Sequence, residues 1–103
     1  MDRVTRMASQ NAVVVFSKST CSMSHAIQTF FHERGVHITM TVYTVDELPN
    51  GREIERVLTN LVGRGPPIPA TFIGGHFVGP TERVMSLHLS GKLVPMLRDA
   101  GAL

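Results

Sequence analysis

Cys21 is the single cysteine of this 103-residue chain, on the polar turn Lys18-Ser19-Thr20-Cys21 that follows the apolar run Ala12–Phe16. From Cys21 onward the period becomes helical, with Ala26, Ile27, Phe30 and Phe31 falling on one stripe. A sulfur at such a junction faces unpaired backbone N–H groups and the positive end of the helix dipole. Those surroundings favour the thiolate, the nucleophilic form of cysteine. Lys18, earlier on the same turn, can add a second positive charge. Free cysteines are commonly buried structural residues, but Cys21 lies outside the apolar stripe, which favours a reactive role. One thiol admits neither an intramolecular disulfide nor a metal site built on several cysteines of one chain. It also points to a reducing compartment.

The elements that must position this thiol are legible from periodicity. Ala12–Phe16 is unbroken and β-branched, the pattern of a strand covered on both faces. The helix after Cys21 closes at Gly35, a C′ residue, and Ile38–Tyr43 then alternates as a second strand. Ile54, Val57, Leu58, Leu61 and Val62 mark another helix, which ends in the Gly- and Pro-rich stretch Gly63–Pro69. Ala70–Ile73 and His76–Val78 flank Gly74-Gly75 and read as a β-hairpin. Thr81 is expected to N-cap a helix from Glu82 to Leu89, and a last helix over Leu93–Ala100 carries Pro95 in its first turn. The order is β-α-β-α-β-β-α with one extra terminal helix, in a single domain over 1–103. Residues 1–11 read as a polar N-terminal extension, neither a secretory signal nor a membrane span.

Composition narrows the function classes. A 43% hydrophobic content suits a globular domain and excludes disorder. The net charge is +2, with no basic run or stripe and no interleaving of aromatics with arginine, so direct nucleic-acid binding is disfavoured. The five histidines lack the i, i+4 spacing or cysteine neighbours of a metal site. Cytoplasm and nucleus are the expected locations.

Three motifs in register carry a family resemblance. Lys18-Ser19-Thr20-Cys21-Ser22-Met23-Ser24-His25 resembles the active-site turn of the glutaredoxins, Lys-x-x-Cys-x-x-Cys/Ser. Pro67–Gly75 resembles their Thr-Val-Pro stretch and hairpin, and Gly79-Pro80-Thr81-Glu82 resembles their Gly-Gly-x-Asp segment. Within the family the chain is most similar to the land-plant CC-type class, with the turn Cys-Ser-Met-Ser in place of Cys-Cys-x-Cys or Cys-Cys-x-Ser.

The resemblance implies an α/β, thioredoxin-like fold, a four-stranded mixed sheet flanked by helices. It implies a glutathione-dependent thiol-disulfide oxidoreductase acting on glutathionylated proteins, with Cys21 catalytic. Lacking a thiol at position 24, such an enzyme follows a monothiol route through a second glutathione. The resemblance further implies a cis peptide before Pro69 and backbone pairing of Ile68 with glutathione. It places Lys18 and Arg64 at the glycyl carboxylate, and Thr81 and Glu82 at the γ-glutamyl end. Pro80 departs from the family's second glycine. The alternative that the resemblance implies is a regulatory or carrier module with little catalysis. Such a module would bind TGACG-type bZIP transcription factors, or hold a [2Fe-2S] cluster in a glutathione-bridged dimer with Cys21 as ligand. The chain would otherwise be a monomer, with no membrane partner.

Overall fold

The computed structural model describes residues 2–103; Met1, at the start of the polar N-terminal stretch, lies outside them. Four strands form one mixed sheet in the order β2-β1-β3-β4. They are β1 (Val13–Ser17), β2 (Met40–Thr44), β3 (Ala70–Ile73) and β4 (His76–Gly79). β1 pairs parallel to β2 in the register Val15↔Val42, and antiparallel to β3 in the register Val15↔Thr71. The β3–β4 hairpin turns on Gly74 and Gly75, at φ 61° and 81°, a conformation that side chains with a Cβ resist.

The uninterrupted apolar run of β1 has the burial its composition demands, with all of its residues buried. Alternation then divides it between two cores. Val13 and Val15 join Ile73 and pack against α2 (Ser22–Glu33), α4 (Thr81–Leu89) and α5 (Leu93–Asp99) through Ile27, Phe31, Val84 and Leu97. Val14 and Phe16 join Ala70 and Phe72 on the other face, under α1 (Arg3–Ala8) and α3 (Gly51–Val62). Each fully buried Val, Leu, Ile or Phe side chain contributes about 1.5–3 kcal/mol to the folded state. The thioredoxin-like layering of helices on both faces of a mixed sheet is as the resemblance implied.

Several elements differ from their sequence reading. The stretch read only as a polar extension carries α1, N-capped by Asp2, whose Oδ1 accepts the Thr5 N–H at 2.7 Å. Val4 and Ala8, one turn apart, are its buried face. A helix of six residues gives a single i, i+4 pair, and packing rather than periodicity stabilises it. β2 starts at Met40 rather than Ile38, because the Thr39 N–H turns back to the Val36 carbonyl at 3.1 Å and Ile38 projects outward, 80% exposed. In α3, Ile54 and Leu58 pack inward as expected, whereas Leu61 is left 45% exposed on the last turn.

The cap of α4 is a further correction. Pro80, extended at φ −72° and ψ 172°, is the N-cap, and its carbonyl receives the Arg83 and Val84 N–H groups. Thr81 is the first helical residue, with its side chain buried instead of capping. No described helix is long and apolar enough to cross a membrane.

Candidate functional site

Three segments converge on one cleft of about 1000 Å³. The first is the turn that leaves β1 and enters α2. There Cys21 is the N-cap residue, extended at φ −96° and ψ 113°, and its thiol is free and partly exposed. The second is the proline-rich loop, where the Ile68–Pro69 peptide is cis and both residues are buried against the cleft. The third is the start of α4, with Pro80, Thr81 and Glu82.

The environment of Cys21 favours the thiolate. Its pKa lies below the ordinary thiol value, chiefly because the Ser24 hydroxyl and the Ser24 N–H stabilise the charged sulfur. Partial burial opposes the shift, while the Met23 N–H and the more distant charge of Lys18 add smaller support. The sulfur closes no side-chain capping hydrogen bond in this conformation. Ser24 is completely buried, and its oxygen also accepts the Lys18 N–H at 3.3 Å. That bond fixes the turn and leaves the hydroxyl proton for the sulfur. Of the two serines in the first turn of α2, Ser24 is buried beside the sulfur and Ser22 is exposed.

Two carboxylates far along the chain also hold this turn. Asp46, in the short 3-10 turn Val45–Glu47 after β2, accepts the Ser19 N–H at 3.1 Å and the Ser19 hydroxyl at 2.5 Å. Those bonds hold the Asp46 carboxyl below its usual pKa. Glu55 on α3 pairs with Lys18, Nζ to Oε1 at 2.8 Å. The side chains are 36% and 34% exposed, so the pair is worth at most about 1 kcal/mol after solvent screening. His25 is exposed, with Nε2 3.2 Å from the Ser19 carbonyl oxygen. The only sequence signal for the clamp residues was an acidic side chain near the end of β2 and another on α3, which is common on any surface.

Of the residues expected at the site, Cys21, Ile68, Pro69, Thr81 and Glu82 line the cleft together. Lys18 is half-exposed on the turn, committed to Glu55, and Arg64 is exposed on the loop after α3; neither lines the cleft. Thr81 carries a polar atom that the fold leaves unsatisfied: its Oγ1 is buried and has no hydrogen-bond partner. Beside it, the first N–H groups of α4 also lack intrahelical acceptors. A donor hydroxyl, free N–H groups and the positive end of a helix dipole together suit a carboxylate. Among the described residues no three histidine, cysteine or acidic side chains cluster as a metal site would require.

This geometry agrees with comparisons to known proteins. The sequence profile of the family described as Glutaredoxin matches residues 13–78, from β1 into β4. The chain is 57% identical over 103 residues to "Glutaredoxin-C1" of Oryza sativa subsp. japonica, covering 100% of this chain and 98% of the relative. It is 53% identical over 114 residues to "Monothiol glutaredoxin-S8" of the same plant, with 100% and 98% covered. Among solved structures it resembles a buckwheat glutaredoxin-glutathione complex, with a TM-score of 0.87, 32% identity, and 96% and 87% of the two chains covered. The chain belongs to the glutaredoxin family of thiol oxidoreductases.

Proposed function

We propose that this protein is a monothiol, glutathione-dependent oxidoreductase of the CC-type class, reducing mixed disulfides between glutathione and protein thiols. The observation that carries the reading is the opening of the Cys21 thiol, with its lowered pKa, into the cleft that the cis Pro69 loop shares with the start of α4 at Thr81 and Glu82. The Cys21 thiolate attacks the glutathionyl sulfur, forming a Cys21–glutathione disulfide and expelling the protein thiolate, which takes up a proton. A second glutathione thiolate attacks the glutathionyl sulfur of that intermediate, giving oxidised glutathione and restoring the Cys21 thiolate. With serine at position 24, no thiol of this chain competes for the intermediate.

In this reading the γ-glutamyl carboxylate meets the Thr81 hydroxyl and the first N–H groups of α4, and the γ-glutamyl ammonium meets Glu82. The cysteinyl unit pairs with the Ile68 backbone beside Pro69. Lys18 takes the glycyl carboxylate with help from Arg64, which requires Lys18 to loosen its pair with Glu55. The cytoplasm and nucleus, where single thiols stay reduced, are part of the proposal. The carrier and bZIP-binding readings rest on the resemblance alone, and a cluster would take one ligand, Cys21, from each chain.

The test is turnover of a glutathione mixed disulfide in the presence of glutathione, glutathione reductase and NADPH. Wild type is expected to turn over and Cys21→Ser to lose all activity while keeping its fold. Equal inertness of the two proteins would overturn the oxidoreductase reading.

A further inference from the structure

Lys18 is the only basic side chain between residues 17 and 24, the stretch that carries the active turn. Several anions draw on its one charge. Glu55, from α3, is paired with it directly, Nζ to Oε1 at 2.8 Å. Asp46 is stabilised first by hydrogen bonds from Ser19, and the Lys18 charge adds to them. The Cys21 thiolate is stabilised first by Ser24, and again the Lys18 charge adds. The cleft brings no cation of its own, since the ionisable side chains lining it are Cys21 and Glu82.

The backbone of Lys18 is fixed. Its N–H donates to the Ser24 hydroxyl oxygen at 3.3 Å, and its carbonyl accepts the Cys21 N–H at 3.2 Å. The side chain is freer, because it is 36% exposed and its ammonium ends a flexible stem. Nζ can therefore turn from Glu55 towards the cleft without disturbing the turn. Glutathione, with two carboxylates and one ammonium, carries a net charge of about −1 near neutral pH. Entering a site whose own ionisable groups are anionic, it gains a cation only by taking Lys18 from Glu55.

We propose that Glu55 is a positioning residue that competes with the glycyl carboxylate of glutathione for Lys18. In the free protein Glu55 holds Nζ. On binding, the ammonium exchanges one carboxylate for the other and Glu55 is released to water. Glu55 does not line the cleft, so it acts through Lys18 alone. The affinity forgone is that of one exposed ion pair, about threefold. The proposal deepens the oxidoreductase reading and rests on its placement of the glycyl carboxylate, but it concerns binding and is tested without turnover.

Nuclear magnetic resonance titrations at low ionic strength use Cys21→Ser protein, which cannot exchange disulfides. The ligands are glutathione and its glycyl monoethyl ester, which lacks the carboxylate in question. Glu55→Gln keeps the side-chain shape and removes the charge. It is expected to tighten glutathione about threefold and to leave the ester unchanged. In a Lys18→Met background the same substitution should change neither. With Cys21 intact, Glu55→Gln should also move the pH profile of iodoacetamide alkylation to lower pH. Lys18 then faces the thiolate without its ion-pair partner, an effect that loss of a merely structural contact would not produce.

Equal glutathione affinity with and without the Glu55 charge, or an unmoved alkylation profile, would overturn the competition. Tightening that persists in Lys18→Met protein would do the same, since Glu55 would then act by repulsion alone. So would equal tightening of the ester, which would put another group of glutathione at Lys18. The expected titrations without turnover of a mixed disulfide by the Cys21 protein would uphold Glu55 and overturn the oxidoreductase reading. No measurable binding of glutathione to any of these proteins would overturn both.

Discussion

The Ser24 hydroxyl is buried one helical turn after Cys21, where it accepts the Lys18 N–H at 3.3 Å and favours the Cys21 thiolate. One side chain therefore both shapes the active turn and sets the acidity of its sulfur. Ser24→Ala is expected to raise the Cys21 pKa, moving the pH profile of alkylation by iodoacetamide to higher pH. A depressed thiol pKa adds stability above the unfolded thiol value, and that stability is lost as pH falls through the folded pKa. Ser24→Ala should reduce this alkaline increment and cost about 1 kcal/mol more for the partly buried Lys18 N–H left unpaired. Superimposable alkylation profiles would remove Ser24 from the account.

Thr81 separates binding from folding. Its Oγ1 is buried without a partner, so the fold gains nothing from the hydroxyl. Thr81→Val, which keeps the shape, should leave the urea midpoint unchanged or raise it. Loss of one hydrogen bond to glutathione's carboxylate should raise the KM for glutathione about three- to tenfold, with kcat little affected. An unchanged KM would place the carboxylate elsewhere.

Gly51 opens α3, and its backbone angle is one that any residue could adopt, since it is absent from the positive-φ glycines. An alanine early in a helix ordinarily stabilises it. Here the added Cβ would collide with the carbonyl oxygen of Val45. Gly51→Ala is therefore expected to destabilise the protein by about 1–3 kcal/mol, read as a lower thermal midpoint. It would also displace the 3-10 turn that carries Asp46, the clamp on Ser19.

Val4 tests the N-terminal helix. It is 2% exposed and joins Ile54 and Leu58 in the core beneath α1 and α3. Val4→Ala should cost about 1–2 kcal/mol by lost apolar burial and the cavity left behind. Equilibrium urea denaturation measures it; an unchanged midpoint would mean that α1 does not pack in solution.

The sequence by itself determined the order of most elements, because β1, α2, α3 and the Gly74-Gly75 hairpin each carry a complete periodicity or turn signal. It also determined the reactive group, since Cys21 is the only thiol and its junction between turn and helix is a local property. Tertiary structure decided what distant segments do to one another. It buried the hydroxyl of Ser24, and it brought Asp46 and Glu55 onto the active turn, 27 and 37 residues away from their partners. It turned Thr81 inward, made Pro80 the cap, and left Leu89 exposed at the end of the cleft. Local propensity depends on a few neighbouring residues and can be read from them. Burial, ion pairing and the missing hydrogen-bond partner of Thr81 depend on which surfaces the sheet brings together, and no short stretch of sequence contains that information.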